Sequence, residues 1–294
     1  MDTQAFLRRL GLAGHDRPSV ESLFRLHAAF VEAVPYETVQ YQLGGGGPLD
    51  PLAVAERILS RQAGGYCFQL NGAFAALLTA LGYQVTMHRG GVQTSTRPAQ
   101  VDSSHLVLTV TGLPDAPGVE WFVDAGLGDG LHVPLPLQAG MYDQEPYGLR
   151  LRLSEITAGW RLDHDPRSSM IGMDFESAPA SLKDFAAQHA YLSTAPNSPF
   201  VRVCSAFRRK ARSVDILRSL TLSEVHADRI DSTVLQTRDD FYAALRDVFD
   251  LPLPHLSAGD RDRLWSLAVA QYEIFLARAA LPRTAEQSAL GRGR

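Results

Sequence analysis

The chain has 294 residues, 45% hydrophobic and 20% charged, with 28 basic against 32 acidic side chains for a net charge of −4. That is the composition of a globular protein long enough for about two domains of roughly 150 residues each. It excludes the basic blocks of a nucleic-acid binder and the polybasic segments of a membrane-surface protein.

No apolar run reaches the length of a membrane span. The first nine residues lack the basic start and apolar run of a secretory leader. Only two cysteines, Cys67 and Cys204, occur. A cytoplasmic chain with free thiols is therefore expected rather than a disulfide framework. The polar tail from Thr284 to Arg294 is expected to fray.

The first third reads as helical. Ser19 caps a helix that Pro35 ends, with Leu23, Leu26 and Phe30 on one face and Glu21 in the first turn. A shorter helix is predicted over 51–60 and a third over 67–81, stopped by Gly82. The period then shortens. Strands are predicted over 84–88, 106–110, 121–123, 149–153, 160–162 and 171–175, each bounded by turn residues. A short helix and a loop occupy 181–199. Strands around 201–206, 213–217 and 221–226 follow, then a capping-box spacing from Thr237 to Asp240 and a last helix over 260–280. Helices, then many short strands, then a mixed end argue for an α+β fold with three sub-domains rather than a doubly wound sheet.

Three chemically useful residues sit at predicted element edges. Cys67 follows two glycines and opens a helix, where the dipole and a neighbouring imidazolium both favour the thiolate. Gly64 and Gly65 let the backbone approach it closely. His105 opens an apolar strand, and Asp124 leaves one for a glycine-rich turn. Their separations permit neighbouring strands to carry His105 and Asp124, as a base and its orienter require. Each residue has a plain alternative: Cys67 as a buried core thiol, His105 as a structural histidine, Asp124 as a turn former. Cys204 reads as a small apolar residue in a strand. The glycines from Gly126 to Gly130 lack a dinucleotide fingerprint, and no His/Cys cluster has metal-ligand spacing.

Five strings in order resemble the arylamine N-acetyltransferase family over nearly the whole chain. Ala63-Gly64-Gly65-Tyr66-Cys67-Phe68-Gln69-Leu70-Asn71 is similar to its Arg-Gly-Gly-x-Cys-x-Glu-x-Asn motif. His105 opens a strand as the family's histidine does, and Val123-Asp124-Ala125-Gly126-Leu127-Gly128 matches the string around its aspartate. Val34-Pro35-Tyr36-Glu37-Thr38 resembles its Pro-Phe-Glu-Asn segment, and the residues from Ser193 to Phe200 resemble its entry to a third domain. Among the departures, Ala63 stands for arginine, Gln69 for glutamate and Thr38 for asparagine.

The resemblance implies an N-terminal helical bundle (1–83) carrying Cys67. It implies a central antiparallel β-barrel (84–195) carrying His105 and Asp124, and a C-terminal α/β lid (196–294), with the triad arranged as in cysteine proteinases. It implies a ping-pong transfer of acetyl from acetyl-CoA, as co-substrate, to an arylamine or arylhydrazine through an acetyl-cysteine. No metal, nucleic acid or membrane takes part. Phe200 and Tyr66 would line the substrate cleft, and Gly65, Gln69, Asn71 and Gly126 would support the triad. The coenzyme A contacts and the oligomeric state stay unassigned. The family also contains amide synthases that close or release polyketide chains from a carrier-protein thioester. A cysteine hydrolase and an inactive binding homologue complete the alternatives.

Overall fold

The computed structural model describes residues 1–14, 17–45 and 47–280; the predicted frayed tail lies outside them. The chain starts with helices α1 (Thr3–Arg9) and α2 (Val20–Ala33), a two-residue strand β1 (Tyr36–Glu37), and helices α3 (Val39–Gln42), α4 (Pro51–Arg61) and α5 (Cys67–Ala80). The Ser19 hydroxyl accepts from the Ser22 N–H at 3.1 Å and starts α2 as its sequence predicts. The α2 residues Leu23, Leu26 and Phe30 are fully buried against Leu70, Phe74 and Leu77 of α5 in one apolar core. Helix α5 is apolar on nearly every face and is buried along its length, so it is the central helix of this region.

Strands β2 (Gln84–Gln93), β3 (His105–Thr111), β4 (Trp121–Val123), β5 (Leu135–Pro136), β6 (Gly140–Gln144), β7 (Tyr147–Leu153), β8 (Gly159–Asp163) and β9 (Gly172–Ala180) form one antiparallel, barrel-like sheet. Its order is β5-β4-β3-β2-β9-β8-β7-β6. A single 3₁₀ turn (Leu182–Phe185) leads into α6 (Ala186–Thr194) and α7 (Pro199–Arg202). Strands β10 (Ser205–Arg209), β11 (Val214–Arg218), β12 (Thr221–Val225) and β13 (Ile230–Val234) make a second antiparallel sheet, which β1 extends by pairing Tyr36 with Phe207. Helix α8 (Arg238–Ala243) starts with the predicted Thr237/Asp240 capping box and continues as a π-helical turn, and α9 (Ala258–Ala279) follows. The fold is α+β.

One predicted element is wrong. The strand expected over 201–206 begins as the helical turn α7, and Cys204 falls between that turn and β10 rather than inside a strand. Ser198 accepts from the Phe200 N–H at 3.2 Å and Pro199 is preset for the first helical position, so the local capping chemistry outweighs the β-branched composition. Strands β5, β6 and β13 escape sequence reading because β5 has two residues and β6 and β13 bury no residue fully, so no apolar alternation marks their sequences.

Candidate functional site

The approach to α5 is an extended run braced on both sides. A Cβ on Gly64 would sit 1.9 Å from the Pro35 carbonyl oxygen, so only glycine allows the chain to pass. Gly65 bridges Tyr36 in parallel register, and the Gly65 carbonyl accepts from the Glu37 N–H at 2.8 Å. The chain turns into the helix at Tyr66, an extended N-cap residue, and Cys67 is the first helical residue. The first N–H groups of a helix have no partner within it, and Cys67 is among the residues that carry them.

Antiparallel pairing of β3 with β4 matches Leu108 to Val123, which brings the start of β3 and the end of β4 to one edge of the sheet. His105 and Asp124 occupy that edge. Ser103, with φ of 59°, turns the chain into β3. His105 Nε2–H donates to Asp124 Oδ2 at 2.7 Å. The Cys67 sulfur lies near enough to the His105 ring to act on it electrostatically. All three are buried, at 4% exposure for Cys67, 2% for His105 and 1% for Asp124. The thiol itself also donates a long 3.8 Å contact to the Ser104 carbonyl. Burial alone would pull the His105 pKa down, but Asp124 and Cys67 outweigh it and push it up to about 10.

Asn71, one turn into α5, joins the helix to the sheet. Its Nδ2 donates to Asp124 Oδ1 at 2.8 Å and to the Leu106 carbonyl at 2.6 Å, and its Oδ1 accepts from the Ala125 N–H at 2.8 Å. The Gly126 N–H donates to Asp124 Oδ1 at 2.9 Å. A Cβ there would lie 2.7 Å from Cys67 Cα, so Gly126 permits the turn after β4 to rest on the helix start. Gln69 bonds a different set of partners. Gln69 Oε1 accepts from Tyr41 Oη at 3.0 Å and from Arg57 Nη2 at 3.1 Å.

Tyr66 is fully buried and its hydroxyl bonds His189 Nδ1 on α6. Phe200 is half-buried and meets Tyr66 edge-on, with ring centroids 5.0 Å apart. Tyr66 and Cys67 belong to one apolar cluster on which Phe200 and Tyr36 pack, so aromatic side chains occupy the place where the sequence suggests a cleft. Tyr36 belongs to the Pro-Phe-Glu-Asn-like segment. It contacts Phe207 edge-on at 5.4 Å, and burial, then the neighbouring Cys67, hold its hydroxyl well above the ordinary tyrosine pKa. Arg57 was missed altogether, for an arginine on a short amphipathic helix carries no distinguishing pattern. Cys204 is buried and unpaired, and burial pushes its pKa up to about 12. Among the described residues no three His, Cys, Asp or Glu side chains converge as metal ligands would, and no helix is long and apolar enough to cross a membrane.

The sequence profile of a family described as N-acetyltransferase matches residues 19–257. The human protein named arylamine N-acetyltransferase 1 is 27% identical over 282 residues, covering 86% of this chain and 95% of that one. The structure of Mycobacterium marinum arylamine N-acetyltransferase in complex with CoA superposes with a TM-score of 0.81 at 25% identity, over 91% of this chain and 98% of that one. The proansamycin X synthase of Amycolatopsis mediterranei is 31% identical over 164 residues, 55% of this chain and 61% of its own.

Proposed function

We propose that this chain, which belongs to the N-acetyltransferase family, carries an acetyl group from acetyl-CoA to the nitrogen of an arylamine or arylhydrazine through a thioester on Cys67. The observation that carries this reading is the buried, hydrogen-bonded Asp124–His105 pair near the sulfur at the start of α5. In the first half-reaction the Cys67 thiolate, paired with the His105 imidazolium, attacks the thioester carbonyl. The tetrahedral oxyanion is met by backbone N–H groups at the helix start. The carbon–sulfur bond to coenzyme A breaks, the acetyl group stays on Cys67, and coenzyme A leaves with the proton that His105 supplies. In the second half the neutral amine attacks the acetyl-cysteine, His105 takes the amine proton, and the thiolate is regenerated. Asp124 holds the ring with one nitrogen on the carboxylate and the other toward sulfur. The low exposure of the three side chains supports transfer over hydrolysis, because it keeps water from the thioester.

Intact-mass analysis after incubation with acetyl-CoA tests this. Wild type should gain one acetyl group and lose it on addition of an arylamine, whereas Cys67→Ala should gain none. A Cys67→Ala protein with full transferase activity would remove the mechanism. A second reading, an amide synthase drawing its acyl group from a carrier-protein thioester, is favoured by the likeness to proansamycin X synthase. Acyl loading from a carrier protein with no loading from acetyl-CoA would select it. The two unpaired thiols support a cytoplasmic location; fractionation that recovers the protein elsewhere would overturn this.

A further inference from the structure

The motif around the sulfur departs from its family at Ala63 and Gln69, a lost cation and a lost anion. The space beside Ala63 is not empty of charge. Ala63 lines a cavity of about 670 Å³ together with Arg57, Glu37 and Gly47, and none of Cys67, His105 and Asp124 lines it. Arg57 enters from α4. Its Nη2 donates to the Gly64 carbonyl at 2.8 Å and to Gln69 Oε1 at 3.1 Å, while Nη1 donates to Gln40 Oε1 at 3.0 Å. Gly64 precedes Cys67 and Gln69 follows it, so one guanidinium ties the extended approach to the first turn of α5 across the sulfur-bearing residue.

The fit is close on both faces. A Cβ on Gly65 would lie 3.1 Å from Arg57 Nη2, and one on Gly47 would lie 2.3 Å from Nη1. Gln69 is neutral, but Glu37 is buried nearby, and its carboxylate accepts from the Val39 N–H at 2.6 Å. The Glu37 N–H holds the Gly65 carbonyl. Arg57 and Glu37 thus grip consecutive carbonyls of the same run.

We propose that Arg57 is a positioning residue that supplies, from α4, the cation carried by the family motif at position 63, and that its bridge between Gly64 and Gln69 sets the direction in which Cys67 leaves the chain toward His105. A guanidinium suits this task because its rigid planar fork holds donors apart in a fixed geometry, which a compact ammonium group does not. The inference rests on Cys67 being the nucleophile.

The test compares full-length wild type, Arg57→Ala, Arg57→Lys and the double variant Arg57→Ala/Ala63→Arg. Two rates are read at pH 7 by intact mass: alkylation of Cys67 by iodoacetamide, with Cys67→Ala as blank, and acetyl loading from acetyl-CoA. Both are normalised to the folded fraction from thermal unfolding. Arg57→Ala should slow both by roughly ten- to a hundredfold, the cost of an ångström-scale misplacement. Arg57→Lys should recover a small part. The double variant should recover most of both rates, because a long cation from position 63 opens into the same cavity. If Arg57→Ala does not fold, Arg57→Gln, which keeps an amide donor, takes its place. Wild-type rates in Arg57→Ala, or a loss confined to melting temperature, overturn the proposal. So does a double variant no faster than the single one. A wild type that alkylates readily but takes no acetyl group would count against the proposed donor instead, and the alkylation rates alone would then decide the role of Arg57.

Discussion

The eight-stranded sheet holds two buried charge clusters that differ in their last link. Toward its β8–β9 side, Arg161 donates to Asp163, Asp174 and Gln93, and Asp174 accepts a further 2.7 Å bond from the Ser154 hydroxyl. At the β3–β4 edge, Asp124 is satisfied as fully, by His105 on one oxygen and by Asn71 and Gly126 on the other. The first cluster runs on through Asp163 to Arg152 and the exposed Glu155, and every link is a bond between protein groups with an ordinary acceptor. The second ends on a sulfur with a 3.8 Å contact to a carbonyl. Complete satisfaction marks a scaffold. A satisfied network that terminates on a weakly held reactive atom marks a place where that atom can exchange partners.

The sharpest way to break this contrast is to make the same substitution in both. Asn for Asp124 can keep its oxygen toward Asn71 and Gly126, but it then turns an N–H₂ toward His105 Nε2. That favours the ring tautomer with its proton on the sulfur side. Turnover should fall by about 10⁴-fold with the fold retained; near-normal turnover would take Asp124 out of the mechanism. Asn for Asp174 should behave in the opposite manner. It removes the charge facing Arg161, of which only 9% of the side chain is exposed, and should cost about 3–5 kcal/mol of stability. Activity per folded molecule should stay at wild-type level, and chemical denaturation with a parallel rate assay separates the two quantities. Equal losses of rate in both variants would dissolve the distinction.

Much of the β3–β4 edge was legible from sequence, because each residue stands at a break in pattern: Cys67 where glycines meet an apolar helix, His105 and Asp124 where apolar strands end. Asn71 and Gly126 were legible as parts of motifs, although their bonds to Asp124 were not. Arg57 was invisible for a physical reason. Its contacts depend on α4 packing beside the run before α5, and only tertiary structure reveals that a surface-type arginine lines the same cavity as Ala63. The helical turn at Pro199 was misread because β-branched composition was weighed above the cap at Ser198, and the α+β order was read correctly because the change of period near position 84 is abrupt.

Acidity offers a smaller test, through two buried histidines driven in opposite directions. His27, stacked edge-on against Phe74, has burial as its main influence, and its pKa falls to about 4 against the ordinary 6.5. His105 rises to about 10 because Asp124 and Cys67 outweigh burial. In the case of His105 the folded state binds the proton more tightly, so its contribution to stability is full below pH 6.5 and is lost as pH rises through about 10. For His27 the unfolded state binds the proton more tightly. Its contribution is present above pH 6.5 and is lost as pH falls through about 4. Melting temperature should therefore decline at both ends of the scale. His27→Gln, which keeps a donor for the His132 carbonyl, should flatten the acid limb, and Asp124→Asn the alkaline limb. Unchanged limbs in either variant would remove that histidine from the account.

The smallest effect is expected at Phe200, and it asks where the reactive edge ends. The backbone of Phe200 is tied down independently of its ring: its N–H donates to Ser198 and its carbonyl accepts from Gln42 Nε2 at 2.7 Å. Phe200→Ala therefore removes the ring alone, together with its edge-on contacts to Tyr36 and Tyr66. Contacts of that kind contribute about 0.5–1.5 kcal/mol each beyond area burial. If Phe200 shapes only the acceptor side, KM for an arylamine should rise a few-fold, about one kcal/mol in transition-state terms, while acetyl loading of Cys67 keeps its wild-type rate. A loading rate that falls in step with KM would mean that Phe200 holds the sulfur as well. The boundary between the reactive edge and its aromatic cover would then lie one residue shell farther out, on α6, where His189 meets the Tyr66 hydroxyl.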